Sequence, residues 1–267
     1  MKTMIFAAGL GTRLKPLTDT LPKALVPVCG KPLIEHVCRR LMAGGIDEAV
    51  VNVHHFADKV QEWIFRQEWV CPDSASKTDD RMLVQVSDET ERLLETGGAV
   101  LHAQKYLDGC GRFLIHNVDI LSNLDIRWFE TQVRDESLAT LLVSRRQSSR
   151  QLLFDPQTMR LVGWRNNATG EIRSPYAGLD ADACAAFAFS GIHIMSDAVF
   201  PLLKEYAQTH GLCITDEPPR FPVMDFYLWV CAAHEIRGVV AEDLKMIDVG
   251  KLDSLNKAEE FILESAL

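Results

Sequence analysis

No stretch of this 267-residue sequence approaches the roughly 20 consecutive apolar residues that a membrane-spanning helix needs. Positive charge is scarce, with 28 Lys and Arg against 37 Asp and Glu and a net charge of −9. Binding to nucleic acid or to a membrane surface draws on distributed positive charge, so neither is expected here. The seven cysteines (Cys29, Cys38, Cys71, Cys110, Cys184, Cys213 and Cys231) are scattered and include no Cys-x-x-Cys pair. That pattern fits reduced thiols in a cytoplasmic protein better than a zinc site or a disulfide framework. The apolar start, Met4 to Ala8, soon meets Arg13 and Lys15 and is too short for a signal peptide. No Ser-His-Asp constellation is recognisable. What remains is a 47% apolar chain, enough for one substantial core, with small molecules as its expected partners.

Against this acidic background, Met4 to Val28 stands out. An apolar run, Met4 to Ala8, reads as a buried strand ending at Gly9. Gly9 and Gly11 allow backbone N–H groups to lie against a ligand, and Arg13 supplies a planar fork suited to phosphate oxygens. Between residues 9 and 31, Arg13, Lys15, Lys23 and Lys31 face Asp19 alone, a local charge of +3 that suits a small, highly charged anion. The segment is neither of the two familiar phosphate loops. Leu14 stands where a dinucleotide fingerprint needs a third small residue, Pro16 and Pro22 oppose a helix opening there, and the Gly-Lys-Ser/Thr of a Walker loop is missing.

The longer string Gly9-x-Gly11-Thr12-Arg13-x-x-Pro16-Leu17-Thr18, followed by Pro22-Lys23 and Pro27, resembles the sugar-1-phosphate nucleotidyltransferases, or nucleotide-sugar pyrophosphorylases. The resemblance implies that Ala8, Gly9, Gly11, Thr12 and Arg13 hold the nucleotide and its triphosphate, and that Lys23 contacts phosphate. It extends along most of the chain. Leu94-Glu95-Thr96-Gly97-Gly98 matches the family segment against base and ribose, which implies nucleotide binding by Thr96, Gly97 and Gly98. Asp119, after the apolar strand Arg112 to Val118, and Asp248, in Asp-Val-Gly, match the family's magnesium carboxylates. Gly191 falls in the segment beside the bound sugar. The family's Glu-Lys-Pro is absent, and Arg165 or Arg173 is the candidate to replace its lysine on the sugar-phosphate side. Val118 and Lys251 also depart from the family pattern, where a glycine and a threonine are usual.

The remaining periodicities predict an α/β protein. Strands are expected at Ala49 to Val53, Met82 to Val86, Leu138 to Val143, Phe187 to Met195 and Ile236 to Ala241. Helices are expected from Pro32, over Phe56 to Trp69, Ala99 to Leu107, Leu124 to Asp135, Asp197 to Tyr206 and Pro222 to Ala233, and at the C-terminal end. The alternation predicts a Rossmann-like, mostly parallel central sheet with helices on both faces. From 145 to 185 the pattern changes to a β-hairpin turning at Asp155-Pro156 and a polar stretch, the expected sugar-side insertion within a single domain spanning 1–267. The whole is the nucleotide-diphospho-sugar transferase fold that the resemblance implies. No hexapeptide repeat of the kind often appended in this family is visible.

Joining a sugar 1-phosphate to a nucleoside triphosphate needs no general base near pH 7, because the second pKa of a phosphate monoester is about 6. Repulsion between two anions is the obstacle, and magnesium with preplaced cations relieves it. The resemblance thus implies a Mg²⁺-dependent nucleotidyltransferase, monomeric or homodimeric, of the short form similar to N-acetylmuramate-1-phosphate uridylyltransferases and mannose-1-phosphate guanylyltransferases. UTP with an amino-sugar 1-phosphate is slightly favoured over GTP with mannose 1-phosphate. The alternative is a nucleotide-binding regulatory protein whose active site has decayed, and a dehydrogenase is a third reading that the missing third glycine disfavours.

Overall fold

The computed structural model describes residues 1–78, 80–212 and 218–265; Asp79 and Cys213 lie outside them. Met4 and Ile5 in β1 (Lys2–Phe6) are both fully buried although their side chains point to opposite faces, as in a strand covered on both sides. A small hairpin, β2 (Pro27–Val28) and β3 (Lys31–Pro32), leads into α1 (Leu33–Ala43). Pro32 caps that helix with extended backbone, and Gly44-Gly45 closes it. The chain continues through β4 (Glu48–Val53), α2 (Ala57–Phe65), a short β5 (Val70–Cys71), β6 (Met82–Asp88), α3 (Glu95–His102), α4 (Gln104–Leu107) and β7 (Arg112–Asn117). β7, β1, β4, β6 and β5 pair in that order, all parallel.

The second half adds β8 (Ile120–Ser122), α5 (Ile126–Thr131), β9 (Ala139–Ser144), β10 (Arg150–Phe154), β11 (Leu161–Asn166), β12 (Ile172–Arg173), β13 (Ala185–Ser196), α6 (Val199–Thr209), α7 (Val223–Val230), β14 (Ile236–Val240), β15 (Met246–Asp248) and α8 (Asp253–Ser265). The long β13 runs antiparallel between β7 and β9, and its outer end carries the β10–β11–β12 ribbon. The ribbon turns at Asp155, whose carboxylate accepts the Gln157 and Thr158 N–H groups at 3.1 and 2.8 Å.

Each face of the sheet has its own core. α1, α2 and α5 pack Ile34, Val37, Leu41, Val60, Ile64 and Phe129 on one face. α3, α6 and α7 pack Val100, Phe200, Leu203 and Phe226 on the other. The expected α/β architecture with helices on both faces is therefore present. Among the differences from expectation, two bear on the site. The helix expected to begin at Ala99 starts at Glu95, so Gly97 and Gly98 lie inside its first turn. β8 is only three residues long and carries no periodicity of its own; it exists because β15 pairs with it. The six described cysteines are free thiols, and among the described residues no helix is long and apolar enough to cross a membrane.

Candidate active site

The loop after β1 is anchored by the residue that breaks the dinucleotide pattern. Leu14 is fully buried in a third, smaller cluster with Val26, Val28, Leu33, Leu121, Val249 and Ile262. Burying one such side chain is worth about 1.5–3 kcal/mol. The same cluster gathers the phosphate loop, β8 and the segment after β15, and so sets Arg13 beside the residues that follow Asp119 and Asp248. Gly11 has φ +64°, and a Cβ there would meet Thr18 Cγ2 at 2.8 Å, so this glycine lets the loop close on itself. The Thr18 hydroxyl and the Leu14 N–H both donate to the Gly11 carbonyl at 2.8 Å. Gly9, by contrast, has nothing within 4 Å of the corresponding position and borders open space. Thr12 begins an exposed single turn and Arg13 is also exposed.

The antiparallel β8–β15 ladder sets Asp248 opposite Ile120, and the Val249 N–H donates to the Asp119 carbonyl at 2.8 Å. The backbones of Asp119 and Asp248, separated by nearly half the sequence, are therefore neighbours at one end of this ladder. The Lys23 ammonium is ion-paired with the Asp119 carboxylate, with both side chains largely shielded from solvent. A Cβ built on Gly250 would lie 2.6 Å from Asp248 Oδ1 and 2.8 Å from Arg13 Nη2, so both charged groups rest over this glycine. Lys15 pairs with Asp19 at 3.0 Å in solvent and Lys31 is exposed, which leaves Arg13 and Lys23 as the loop cations turned to the carboxylates. Lys251 is exposed, and its backbone exchanges hydrogen bonds with Ser254 at the start of α8. Val118 is buried in the sheet core.

Beside these groups lies a cavity of about 380 Å³. Ala8 and Gly9 border it from the loop, Leu93, Glu95 and Thr96 from the segment after β6, and Asn52 and Asn117 from strand ends. Lys23 and Asp119 also line it. Gly97 and Gly98 stand behind this lining. Both of their N–H groups donate to the Phe221 carbonyl, at 2.8 and 3.1 Å, and added Cβ atoms would come within 2.4 Å of the Phe221 ring and 2.2 Å of the Pro219 carbonyl. These glycines admit the 219–221 segment rather than offering donors to a ligand. The Thr96 hydroxyl accepts the Val223 N–H at 2.8 Å, and Glu95, at φ +60°, is paired with Arg220 at 2.9 Å.

Gly191, expected beside the sugar, sits in an irregular stretch of β13 with φ +79°, where a Cβ would meet Asn117 Nδ2 at 2.7 Å. It thereby lets β13 close on the strand end that leads to Asp119. Arg165 is not brought to the carboxylates: it donates to Gln151 Oε1 at 3.2 and 3.1 Å and pairs with Asp182 at 3.3 Å, all in and around the ribbon. Arg173 pairs with Asp225 at 2.7 Å. Arg146, just past β9, donates to the Phe189 carbonyl at 2.9 Å, two residues from Gly191. Sequence reasoning passed over Arg146, Asn52 and the anchor Leu14; only the polar Asn52 closing an apolar, β-branched strand carried a signal.

A family model for nucleotidyl transferases matches residues 2–151, more than half of the chain. The chain belongs to the nucleotidyl transferase family. One relative is the N-acetylmuramate alpha-1-phosphate uridylyltransferase of Caulobacter vibrioides, 46% identical over 116 residues, 43% of this chain and 44% of that protein. Another is mannose-1-phosphate guanylyltransferase 1 of Arabidopsis thaliana, 34% identical over 128 residues, 48% of this chain and 33% of that protein. These alignments thus span less than half of either relative's length. Apo UDP-glucose pyrophosphorylase superposes with a TM-score of 0.71 at 16% identity and covers 100% of both chains. The architecture is that of the nucleotide-diphospho-sugar transferase fold.

The carboxylates can be tested for fit to the magnesium that this family implies. Among the described residues no cluster of three or more His, Cys, Asp or Glu could cage an ion. Magnesium is usually held by one or two carboxylates together with substrate phosphates, and the Asp119–Asp248 pair beside an open cavity has that donor set. Asp119 already carries a cation partner in Lys23. The donor types suit the ion, and Lys23 would have to share Asp119 with it.

Proposed function

We propose that the protein transfers a nucleotidyl group from a nucleoside triphosphate to a sugar 1-phosphate, releasing pyrophosphate. The observation that carries this reading is the Lys23–Asp119 pair lining the Gly9-bordered cavity, with Asp248 next to Asp119 along the backbone ladder and Arg13 over Gly250 beside Asp248. Family membership restricts the reaction to nucleotidyl transfer. The relatives' names support UTP with an amino-sugar 1-phosphate as first choice and GTP with mannose 1-phosphate as second. We read residues 1–267 as one such domain, monomeric or homodimeric and cytoplasmic, with 145–185 as its sugar-side insertion.

In the reaction a phosphate oxygen of the sugar 1-phosphate bonds to the α-phosphorus while the bond to the bridging oxygen of the β-phosphate breaks, so pyrophosphate leaves with that electron pair. No proton moves from the nucleophile, already a dianion near pH 7. Ala8, Gly9, Gly11 and Thr12 shape the turn that receives the triphosphate, and Arg13 neutralises the departing pyrophosphate. Lys23 lowers the repulsion at the point of attack. Asp119 and Asp248 would hold Mg²⁺, which when bound supplies Lewis-acid stabilisation of charge on the phosphate oxygens. Thr96, with Gly97 and Gly98 bracing it from behind, forms the base and ribose side, and Gly191 the sugar side. For Arg165 to serve the sugar phosphate it would have to leave Gln151 and Asp182.

Pyrophosphate release measured with four nucleotides and a panel of sugar 1-phosphates tests this reading. Turnover is expected with magnesium, and Asp119→Asn is expected to lower it by about 10²- to 10³-fold, the usual effect of removing one transition-state electrostatic contact. Nucleotide binding without turnover across the panel would replace the enzyme by a binding regulator.

A further inference from the structure

Two sides of the cavity, the turn after β1 and the segment that begins at Leu94, are joined by one buried carboxylate. Glu89 follows β6 and is 3% exposed, as is Asn52 at the end of β4. The Ala7 N–H, where the phosphate loop begins, donates to Asn52 Oδ1 at 2.8 Å. This fixes the amide orientation, since a flipped Asn52 would set two donors face to face. Asn52 Nδ2 must then donate onward, and it reaches Glu89 Oε1 at 2.8 Å. The other oxygen, Oε2, accepts the Leu94 N–H at 3.1 Å. Two donors thus converge on side chain 89, and an ionised carboxylate satisfies both. The Glu89 backbone is pinned as well: its N–H donates to the Val53 carbonyl at 2.8 Å, and its own carbonyl accepts the Arg92 N–H at 3.0 Å and lies 2.6 Å from His54 Nδ1.

We propose that Glu89 is a positioning residue for the nucleotide, holding the glycine turn and the Leu94–Thr96 segment at a fixed separation through Asn52 without itself touching the substrate. The proposal rests on the nucleotidyl-transfer reading. Burial raises the Glu89 pKa above the usual carboxylate range, while the Asn52 and Leu94 donors pull it down. The cost of burying this charge is accepted where the two donors meet, which suits a strut better than a surface residue of an acidic run. It also explains why Asn52 borders the cavity yet has both ends of its amide engaged within the protein.

The test is an exchange of hydrogen-bond polarity. Glu89→Gln leaves one donor facing an NH₂ group. Its expected effect is a rise of about 10-fold in KM for the nucleoside triphosphate, the order set by one unsatisfied buried donor, with KM for the sugar 1-phosphate within about 2-fold of wild type. Asn52→Asp alone sets two carboxylates against each other and is expected to be at least as damaging. The double variant Asn52→Asp with Glu89→Gln reverses the chain of donors. The new carboxylate at position 52 can accept from Ala7 and from the new amide at position 89, whose own oxygen can accept from Leu94, and the pair keeps its single negative charge. The double variant is expected to recover nucleotide KM to within about 3-fold of wild type and to melt at a higher temperature than either single variant. If Glu89→Gln does not fold, recovery in the double variant still decides the question. Unchanged nucleotide KM in Glu89→Gln, an equal rise for both substrates, or a double variant no better than the worse single would overturn the proposal. A wild-type protein that turns over no nucleotide would overturn the functional reading itself, and that failure is visible before any variant is made.

Discussion

Gly250→Ala probes the glycine over which the arginine and the distal carboxylate both rest. The backbone at Gly250 lies outside the left-handed region, so alanine is opposed by its neighbours and not by its own dihedral angles. Those neighbours are the ends of two charged side chains, Asp248 Oδ1 at 2.6 Å and Arg13 Nη2 at 2.8 Å from the new methyl. Ordinary contact begins near 3.4 Å, so each must retreat by about 0.6 to 0.8 Å. Both can do so by rotating, which keeps the cost to folding small. The smaller entropy of the unfolded alanine chain offsets part of that cost, by about 0.4–1 kcal/mol. Function has no such tolerance: a misplacement of about 1 Å at reacting groups can cost 10²-fold.

The expected result for Gly250→Ala is therefore a loss of about 10- to 100-fold in kcat/KM in the pyrophosphate-release assay, with a urea unfolding free energy within about 1 kcal/mol of wild type. Adding Arg13→Ala to Gly250→Ala should cost less than its effect in the wild-type background, because the displaced guanidinium has already lost its place. A Gly250→Ala protein with unchanged kcat/KM and unchanged stability would refute the reasoning, since Asp248 and Arg13 would then be dispensable in the positions they hold.

Gly98→Ala should behave in the opposite way. Its Cβ would lie 2.2 Å from a backbone carbonyl, that of Pro219, so unfolding in urea should show about 1–3 kcal/mol of destabilisation where an open helix site would gain from alanine. For the sugar side, Arg146→Ala should raise KM for the sugar 1-phosphate several-fold and Arg165→Ala should change it by less than about 2-fold, as the existing partners of Arg165 imply; the reverse order would return the sugar phosphate to the ribbon. His193 is buried with neither ring nitrogen partnered, and burial lowers its pKa to about 3. The unfolded chain, with a histidine pKa near 6.5, binds the proton first, so the stability held above pH 6.5 is lost as pH falls toward 3. Between pH 6.5 and 5 the loss from this group should be about 2 kcal/mol, and His193→Phe should flatten that part of the urea-derived profile; an unaltered slope would show that His193 is protonated in the fold.

Much of the fold was legible because burial on both faces leaves a simple mark. The runs around Met4–Ala8, Ala49–Val53 and Phe113–Asn117 are apolar without alternation, and they are neighbouring parallel strands. Pro32 at a helix start and Asp155-Pro156 at a hairpin turn act locally and are visible locally. β8 and β5 were not legible, because two or three residues become a strand only when a distant partner supplies the hydrogen bonds. The antiparallel course of β13 likewise depends on β7 and β9 and not on its own sequence.

The site divides along the same line. Residue types tied to a chemistry, an arginine after a glycine turn or carboxylates after strands, announce themselves in the chain. What holds them does not. Leu14 reads as a failed fingerprint position, yet it is the hydrophobic anchor that joins the loop to Leu121 and Val249 and so brings Arg13 to Asp248. Gly97 and Gly98 read as openings for a ligand, yet their N–H groups serve Phe221. Nothing in the run Asp88-Glu89-Thr90-Glu91 sets Glu89 apart from its acidic neighbours, yet it is buried and tied to Asn52 and Leu94. In each case the one-dimensional pattern specifies what a residue can do, and the partner across the fold specifies whether that capacity is already spent. Groups already engaged within the fold, such as Glu89 and Asn52, can only brace the site, so direct contact with a ligand falls to groups that face the cavity. By that reasoning the border at Gly9, where an added Cβ would meet nothing within 4 Å, carries more weight than the two buried glycines of α3.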